Sequence, residues 1–131
     1  MTRLILWLAV FQPPTPANDF TRFFAAVRQV ESAGNDRMVG DAGRSRGPYQ
    51  IQRVYWADAC AYGKVKWDYN TFVWSRQRSE QVMRWYWQRH CPRAYAARDW
   101  KTMARIHNGG PAGARKIATI KYWQKVKRGM K

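Results

Sequence analysis

The stretch VESAGNDRMVGDAGRSRGPYQIQ, Val30 to Gln52, places two carboxylates, Glu31 and Asp41, ten positions apart in a chain with only eight acidic residues. The residues before it read as a helix. Phe20, Phe23, Phe24, Val27 and Val30 recur at three-and-four spacing, with Asn18 or Asp19 as a cap at the start and Gly34 as a stop. The residues after Glu31 break that pattern. Gly40, Gly43 and Gly47 stand among polar side chains, which predicts a small β-hairpin or a glycine-shaped loop. The stretch is therefore the junction between a helical body and a small lobe, with one carboxylate on each side.

Glu31 follows Val27 by four positions, Phe24 by seven and Phe20 by eleven, so it projects from the apolar side of its helix near the C-terminal end. Desolvation and the negative end of the helix dipole both disfavour its charge there. A carboxyl that keeps its proton near neutral pH suits a general acid; a Glu simply paired with one of the many arginines is the other reading. Asp41 stands beside Gly40, Gly43, Arg44, Ser45 and Arg46, a polar and cationic setting that favours the ionised form. Alone it also reads as an ordinary turn-forming Asp. Together, the two environments push the two carboxyls apart, the usual sign of an acid and a nucleophile or stabiliser.

Outward from this junction the chain stays mainly helical. Short and longer helices are predicted over Val54 to Ala61 and Ser79 to Arg89, with Pro92 interrupting or kinking the latter. Asp99 caps a helix over Trp100 to His107, Gly109, Gly110 and Pro111 stop it, and a basic amphipathic helix runs from Ala114 to Arg128. In that last helix Ile117, Ile120, Trp123 or Gln124, and Val126 form the apolar stripe. It reads as a final core helix with a cationic outer face or as a segment that engages anionic lipid. Trp56, Trp85, Trp87 and Trp123 are read as core.

The 131 residues suit one domain able to bury its own core. A formal charge of +16 favours polyanionic partners, whereas 46% hydrophobic and 15% aromatic residues exclude a disordered basic tail. Cys60 and Cys91 are too far apart for a local metal motif, and either a disulfide or two free thiols fits them. No metal and no cofactor is expected. The apolar run Leu4 to Phe11, followed by a proline-rich break, is too short to span a bilayer. It reads as a signal peptide with Ala17 as cleavage point, or as an arm packed on the domain. Residues 1–17 are thus set apart from a domain over 18–131.

VES, then GDAGRSRGPYQI with YW four residues on, and later ARIHNGGPAG and KYWQKV resemble the invertebrate-type (destabilase-like) lysozymes and their bacterial and phage relatives. The likeness runs from Val30 to Val126, weakly between Gly63 and Arg98. It implies an α+β lysozyme-like fold and a muramidase that cleaves between N-acetylmuramic acid and N-acetylglucosamine in peptidoglycan. It also implies Glu31 as proton donor and Asp41 as second catalytic acid. Animal members are rich in disulfides; two cysteines here shift the burden to a packed Trp and Phe core and point to a microbial or viral relative, of the kind an endolysin would be.

A glycan groove needs flat apolar faces and polar groups for hydroxyls and acetamides. Ser45, Tyr49, Gln50, His107, Asn108 and Gly109 are the candidate substrate-binding residues, with Gly109 and Gly110 allowing close backbone approach. Tyr49 reads equally as core, and His107 as a structural histidine. The expected partners are bacterial peptidoglycan and, through the cationic surface, anionic wall polymers or lipopolysaccharide. Nucleic acid is expected to bind only non-specifically, and the protein is expected to be a monomer, secreted or released to the periplasm or cell wall. Two alternatives stay open: a lytic transglycosylase using Glu31 alone, and a non-catalytic basic module for wall or nucleic acid. A retaining mechanism would set the carboxyls about 5 to 5.5 Å apart, an inverting one about 6.5 to 9.5 Å.

Overall fold

The computed structural model describes residues 17–131, so the apolar run at Leu4 to Phe11 lies outside the described residues. The elements are α1 (Ala17–Ser32), β1 (Val39–Gly40), β2 (Ser45–Arg46), β3 (Ile51–Gln52), α2 (Arg53–Gly63), α3 (Tyr69–Phe72), α4 (Arg76–His90), α5 (Pro92–Ala97), α6 (Trp100–Gly109) and α7 (Ala118–Gly129). Single 3-10 turns sit at Asp41–Gly43 and Gly113–Arg115. No helix among the described residues is long and apolar enough to cross a membrane.

The mainly α reading with a small lobe holds, but the lobe is a three-stranded antiparallel sheet, not a single hairpin. Val39 pairs with Arg46 and Gly40 with Ser45; Ser45 then pairs with Gln52 and Arg46 with Ile51. The third strand forms because the chain reverses again at Gly47. That residue has φ +84°, and a Cβ on it would sit 2.2 Å from the Val73 backbone oxygen, so only glycine fits. The lobe is fastened to the helices at this point: Ser32 Oγ donates to the buried Pro48 oxygen at 2.9 Å.

Helix boundaries follow side-chain chemistry. α1 begins at Ala17, so Asn18 and Asp19 lie in its first turn and are not its cap; Asp19 still opposes the helix dipole there. It ends where Ala33 and Gly34 turn left-handed. α4 starts at Arg76, three residues before Ser79, because Ser75 Oγ accepts from the Arg78 N–H at 3.1 Å. Pro92 opens α5 at its first turn and does not kink α4. Asp99 caps α6 as expected, accepting from the Thr102 N–H. Asp68 caps α3, a helix too short for its periodicity to be read.

The core gathers on α4. Trp87 is fully buried, donates from Nε1 to the Met103 oxygen at 2.9 Å, and packs on Phe23 and Phe24 at ring-centroid distances of 5.6 and 5.9 Å. Trp56 is buried too, whereas Trp85 and Trp123 are only partly covered at its margin. In α7 the expected stripe is right at Val126 and at the partly buried Trp123 but wrong at its two isoleucines. Ile117 is 84% exposed and Ile120 is exposed, while Thr119, Tyr122 and Val126 point inward. Polar side chains can occupy that face because each finds a partner inside: Thr119 Oγ1 donates to the Gly113 oxygen, and Tyr122 reaches Glu31. The helix also starts at Ala118, not Ala114, after the 3-10 turn.

Cys60 and Cys91 are free thiols. Burial pushes both up, Cys91 to about 11 from 9.0. A two-unit rise cuts the thiolate fraction at pH 8 by ~100-fold. Native protein treated with a disulfide-exchange reagent at pH 8 should therefore label Cys91 ~100-fold more slowly than urea-unfolded protein. Equal rates in the two states would refute this packing.

Candidate active site

An open cleft of ≈ 1020 Å³ separates the sheet lobe and α2 from the C-terminal end of α6. Glu31 and Asp41 both line it, as do Ser45, Gln50, His107, Asn108 and Gly109. The two carboxylates read from the sequence thus open onto one space, Glu31 from the last turn of α1 and Asp41 from the β1–β2 connection.

Glu31 is met by one hydroxyl donor and one close imidazole, from different helices. The Tyr122 hydroxyl donates to Oε2 at 2.9 Å from α7, and His107 Nε2 lies 3.2 Å from the same oxygen on α6. The carboxyl side chain is 16% exposed and the imidazole 2%. Burial pushes the Tyr122 hydroxyl well above its ordinary range, with the Glu31 carboxylate adding to the shift, so the phenol stays protonated and donates. His107 Nε2 also faces the Tyr49 backbone oxygen at 3.1 Å. With two acceptors before it, Nε2 must carry the hydrogen. Nδ1 lies 2.9 Å from the Tyr55 hydroxyl, itself pushed well up by burial, so in the neutral ring Tyr55 donates to Nδ1. Both groups approach Oε2, and none of the described residues bonds Oε1.

Asp41 occupies a different environment. Its side chain is 48% exposed; Arg44 Nη2 lies 3.3 Å from Oδ1 and Gln52 Nε2 donates to Oδ2 at 3.1 Å. These are the partners an anion takes. The backbone at Asp41, Ala42 and Gly43 is left-handed, with φ of 54°, 55° and 89°. Asp accepts that conformation more readily than most residues. Arg44 Nε also clamps the Asp41 carbonyl at 3.1 Å.

The cleft's polar groups are already partly engaged. Gln50 lines it, but its amide nitrogen donates to the Met38 and Gly47 oxygens, which fixes the lobe and leaves no N–H pointing freely at a ligand. Tyr49 is a correction. Its side chain is fully buried, does not line the cleft, accepts from Arg28 at 2.8 Å and donates to Glu80 at 2.6 Å. It serves the site only through its carbonyl on His107. His107 unites its two readings, since it is buried and borders the cleft.

Sequence reasoning missed Tyr122, Tyr55, Gln52 and Asp58. Counting back from Val126 by four and three reaches Tyr122 and Thr119, a stripe hidden by the more hydrophobic Ile117 and Ile120. Tyr55 stacks on Tyr86 with centroids 3.7 Å apart at the cleft wall. Asp58 faces the cleft with Arg89 Nε at 3.2 Å and His90 Nε2 behind it.

A family model described as Destabilase matches residues 22–129 of this chain. The chain is 35% identical over 82 residues to "Lysozyme 1" of Crassostrea virginica, covering 63% of this chain and 43% of that protein. It is 34% identical over 88 residues to "Lysozyme" of Ostrea edulis, covering 63% and 58% respectively. The chain thus spans about half the length of the curated relatives it matches. Among solved structures, Tapes japonica lysozyme superposes with a TM-score of 0.67 at 28% identity, over 82% of this chain and 87% of that one. Meretrix lusoria lysozyme, solved in complex with Aeromonas hydrophila PliI, gives 0.67 at 27% identity over the same shares.

Deleting the Tyr122 hydroxyl removes the hydrogen bond to Glu31 Oε2. Tyr122→Phe should lower stability by about 1 kcal/mol in urea titration with an unchanged slope, the net worth of one such bond. No change in midpoint would mean that the bond does not form.

Proposed function

This chain belongs to the Destabilase family, and from that premise we propose that it is a peptidoglycan hydrolase acting outside the cell on the β-1,4 bond between N-acetylmuramic acid and N-acetylglucosamine. The observation that carries the proposal is the asymmetry of Glu31: the Tyr122 hydroxyl bonds Oε2 and His107 Nε2 lies 3.2 Å from it, while Oε1 is unbonded among the described residues. A proton on Glu31 therefore belongs on Oε1. A carboxylic acid so oriented can protonate the glycosidic oxygen of a sugar chain lying in the cleft.

In this mechanism Asp41 acts as the anion, attacking or stabilising the positive charge that develops on the sugar. Arg44 and Gln52 hold it without burying it. As the acid gives up its proton, Tyr122 and His107 are already in place to stabilise the new carboxylate, so little rearrangement is needed. His107 and Tyr122 are positioning residues, and Tyr55 fixes the tautomer of His107. Ser45, Asn108 and Gly109 supply the cleft walls that meet the glycan.

Turbidity loss of purified peptidoglycan with parent, Glu31→Gln and Asp41→Asn proteins, followed by mass analysis of released fragments, tests the scheme. Glu31→Gln should lose at least ~100-fold, the usual contribution of a general acid. Asp41→Asn should fall as well, with reducing sugars as the parent's products. An active Asp41→Asn protein releasing 1,6-anhydro ends would assign the chemistry to a lytic transglycosylase, and full clearing by Glu31→Gln would leave only a binding role.

A further inference from the structure

A second groove, of ≈ 490 Å³, runs along α4 and is lined by Trp67, Gln77, Arg78, Glu80, Gln81 and Arg84. None of these residues lines the cleft that holds Glu31. Its two arginines are held mainly by aromatic rings. Arg28, Arg44, Arg46, Arg53, Arg76, Arg89 and Arg105 each hydrogen-bond or ion-pair with a protein oxygen. The Arg78 guanidinium instead lies 4.5 Å from the centroid of Trp67 and 4.5 Å from that of Phe72, and among the described residues no acceptor takes a bond from it. Arg84 lies over Phe20 at 4.2 Å and Phe24 at 5.3 Å, giving one N–H to the Tyr95 hydroxyl.

Aromatic faces fix both guanidinium groups in place while leaving N–H donors unengaged, so a ligand need not immobilise them. Gln81 lies between the two arginines and Gln77 just before them, so both add amide groups to the groove lining. The one acid in the groove, Glu80, is already bound by the Tyr49 hydroxyl at 2.6 Å and by Arg28 at 3.5 Å. What remains is a fixed donor array in a chain of charge +16, suited to bidentate recognition of phosphate oxygens. Arg78 and Arg84 are six residues apart, about 9 Å along the helix axis, far enough to meet two anionic groups of one chain.

We propose that this groove binds the phosphodiester groups of a polyol-phosphate polymer and so anchors the protein on a wall that carries one. The identity of the wall polymer rests on the lytic reading; the phosphate chemistry does not. Two features select this ligand over other polyanions. Single-stranded nucleic acid is held by bases stacking on open aromatic faces, whereas Arg78 lies over Trp67 and Phe72. A lipid surface needs exposed apolar side chains, and the exposed large hydrophobics, Val39, Val54, Tyr62, Ile117 and Ile120, all lie outside this groove.

The test is a titration of the intact protein with soluble poly(glycerol phosphate) in 0.15 M NaCl, followed by tryptophan fluorescence, with single-stranded DNA and anionic phospholipid vesicles as comparison ligands. Parent, Arg78→Gln/Arg84→Gln and Arg78→Lys proteins are compared with an Arg93→Gln/Arg115→Gln control, which removes the same charge from exposed positions outside the groove. The groove pair should weaken binding tenfold or more and Arg78→Lys several-fold although it keeps the charge, while the control changes it less than twofold. Equal losses in groove and control variants would overturn the site, as would tighter binding of DNA or vesicles through the same two arginines. Because the soluble polymer contains no glycan bond to cleave, this result is independent of whether the cleft hydrolyses peptidoglycan.

Discussion

The contact on which the rest depends is the meeting of Glu31, His107 and Tyr122. A carboxyl group cannot be taken out of water without polar partners, and here they come from α6 and α7, far along the chain from α1, Tyr122 lying 91 residues on. The same imidazole also bonds the Tyr49 carbonyl in the sheet lobe and the Tyr55 hydroxyl on α2. One buried ring therefore joins α1, the lobe, α2 and α6, while Tyr122 adds α7. Removing the carboxyl would leave the buried Tyr122 hydroxyl without its acceptor, while His107 would keep the Tyr49 carbonyl, so the site and the fold draw on the same bonds.

Scarcity of acids makes their placement informative. Of the eight, Glu31, Asp41 and Asp58 line the cleft. Asp68 and Asp99 cap helices, Asp36 and Glu80 pair with Arg76 and Arg28, and Asp19 sits in the first turn of α1. Each acid sits at a defined structural position, whereas the 24 Lys and Arg far outnumber them. The balance follows from what each charge does: anions are used singly and locally, cations collectively.

The sequence made the parts governed by local rules legible. Phe20 through Val30 announced α1, Asp99 announced α6, and the glycines after Asn35 announced the lobe, because periodicity, capping and left-handed backbone act over a few residues. The third strand escaped because it depends on Gly47 passing the Val73 carbonyl, a contact between distant segments. Tyr122 escaped for a related reason. Hydrophobicity ranks Ile117 and Ile120 above it, yet the inward face of α7 was chosen by a hydrogen bond to Glu31 that no local pattern contains. Tyr49 shows the reverse case: its place in a glycan-binding motif suggested a ligand contact, but its side chain serves the interior and only its backbone serves the site.

The distribution of charge also constrains how such a protein could approach a wall. The cleft gathers three of the chain's eight carboxylates beside a single lysine, Lys116, so it is less cationic than the chain's overall charge of +16. The neutral sugar rings of a glycan suit that cleft, with Tyr55 and Tyr86 stacked at its wall. Long-range attraction must then act elsewhere on the surface, and it is useful only if it holds the molecule without blocking the cleft. The α4 groove meets that condition, since it shares no residue with the cleft. On the proposed reading, separating capture from cleavage lets each surface keep the charge its own task requires.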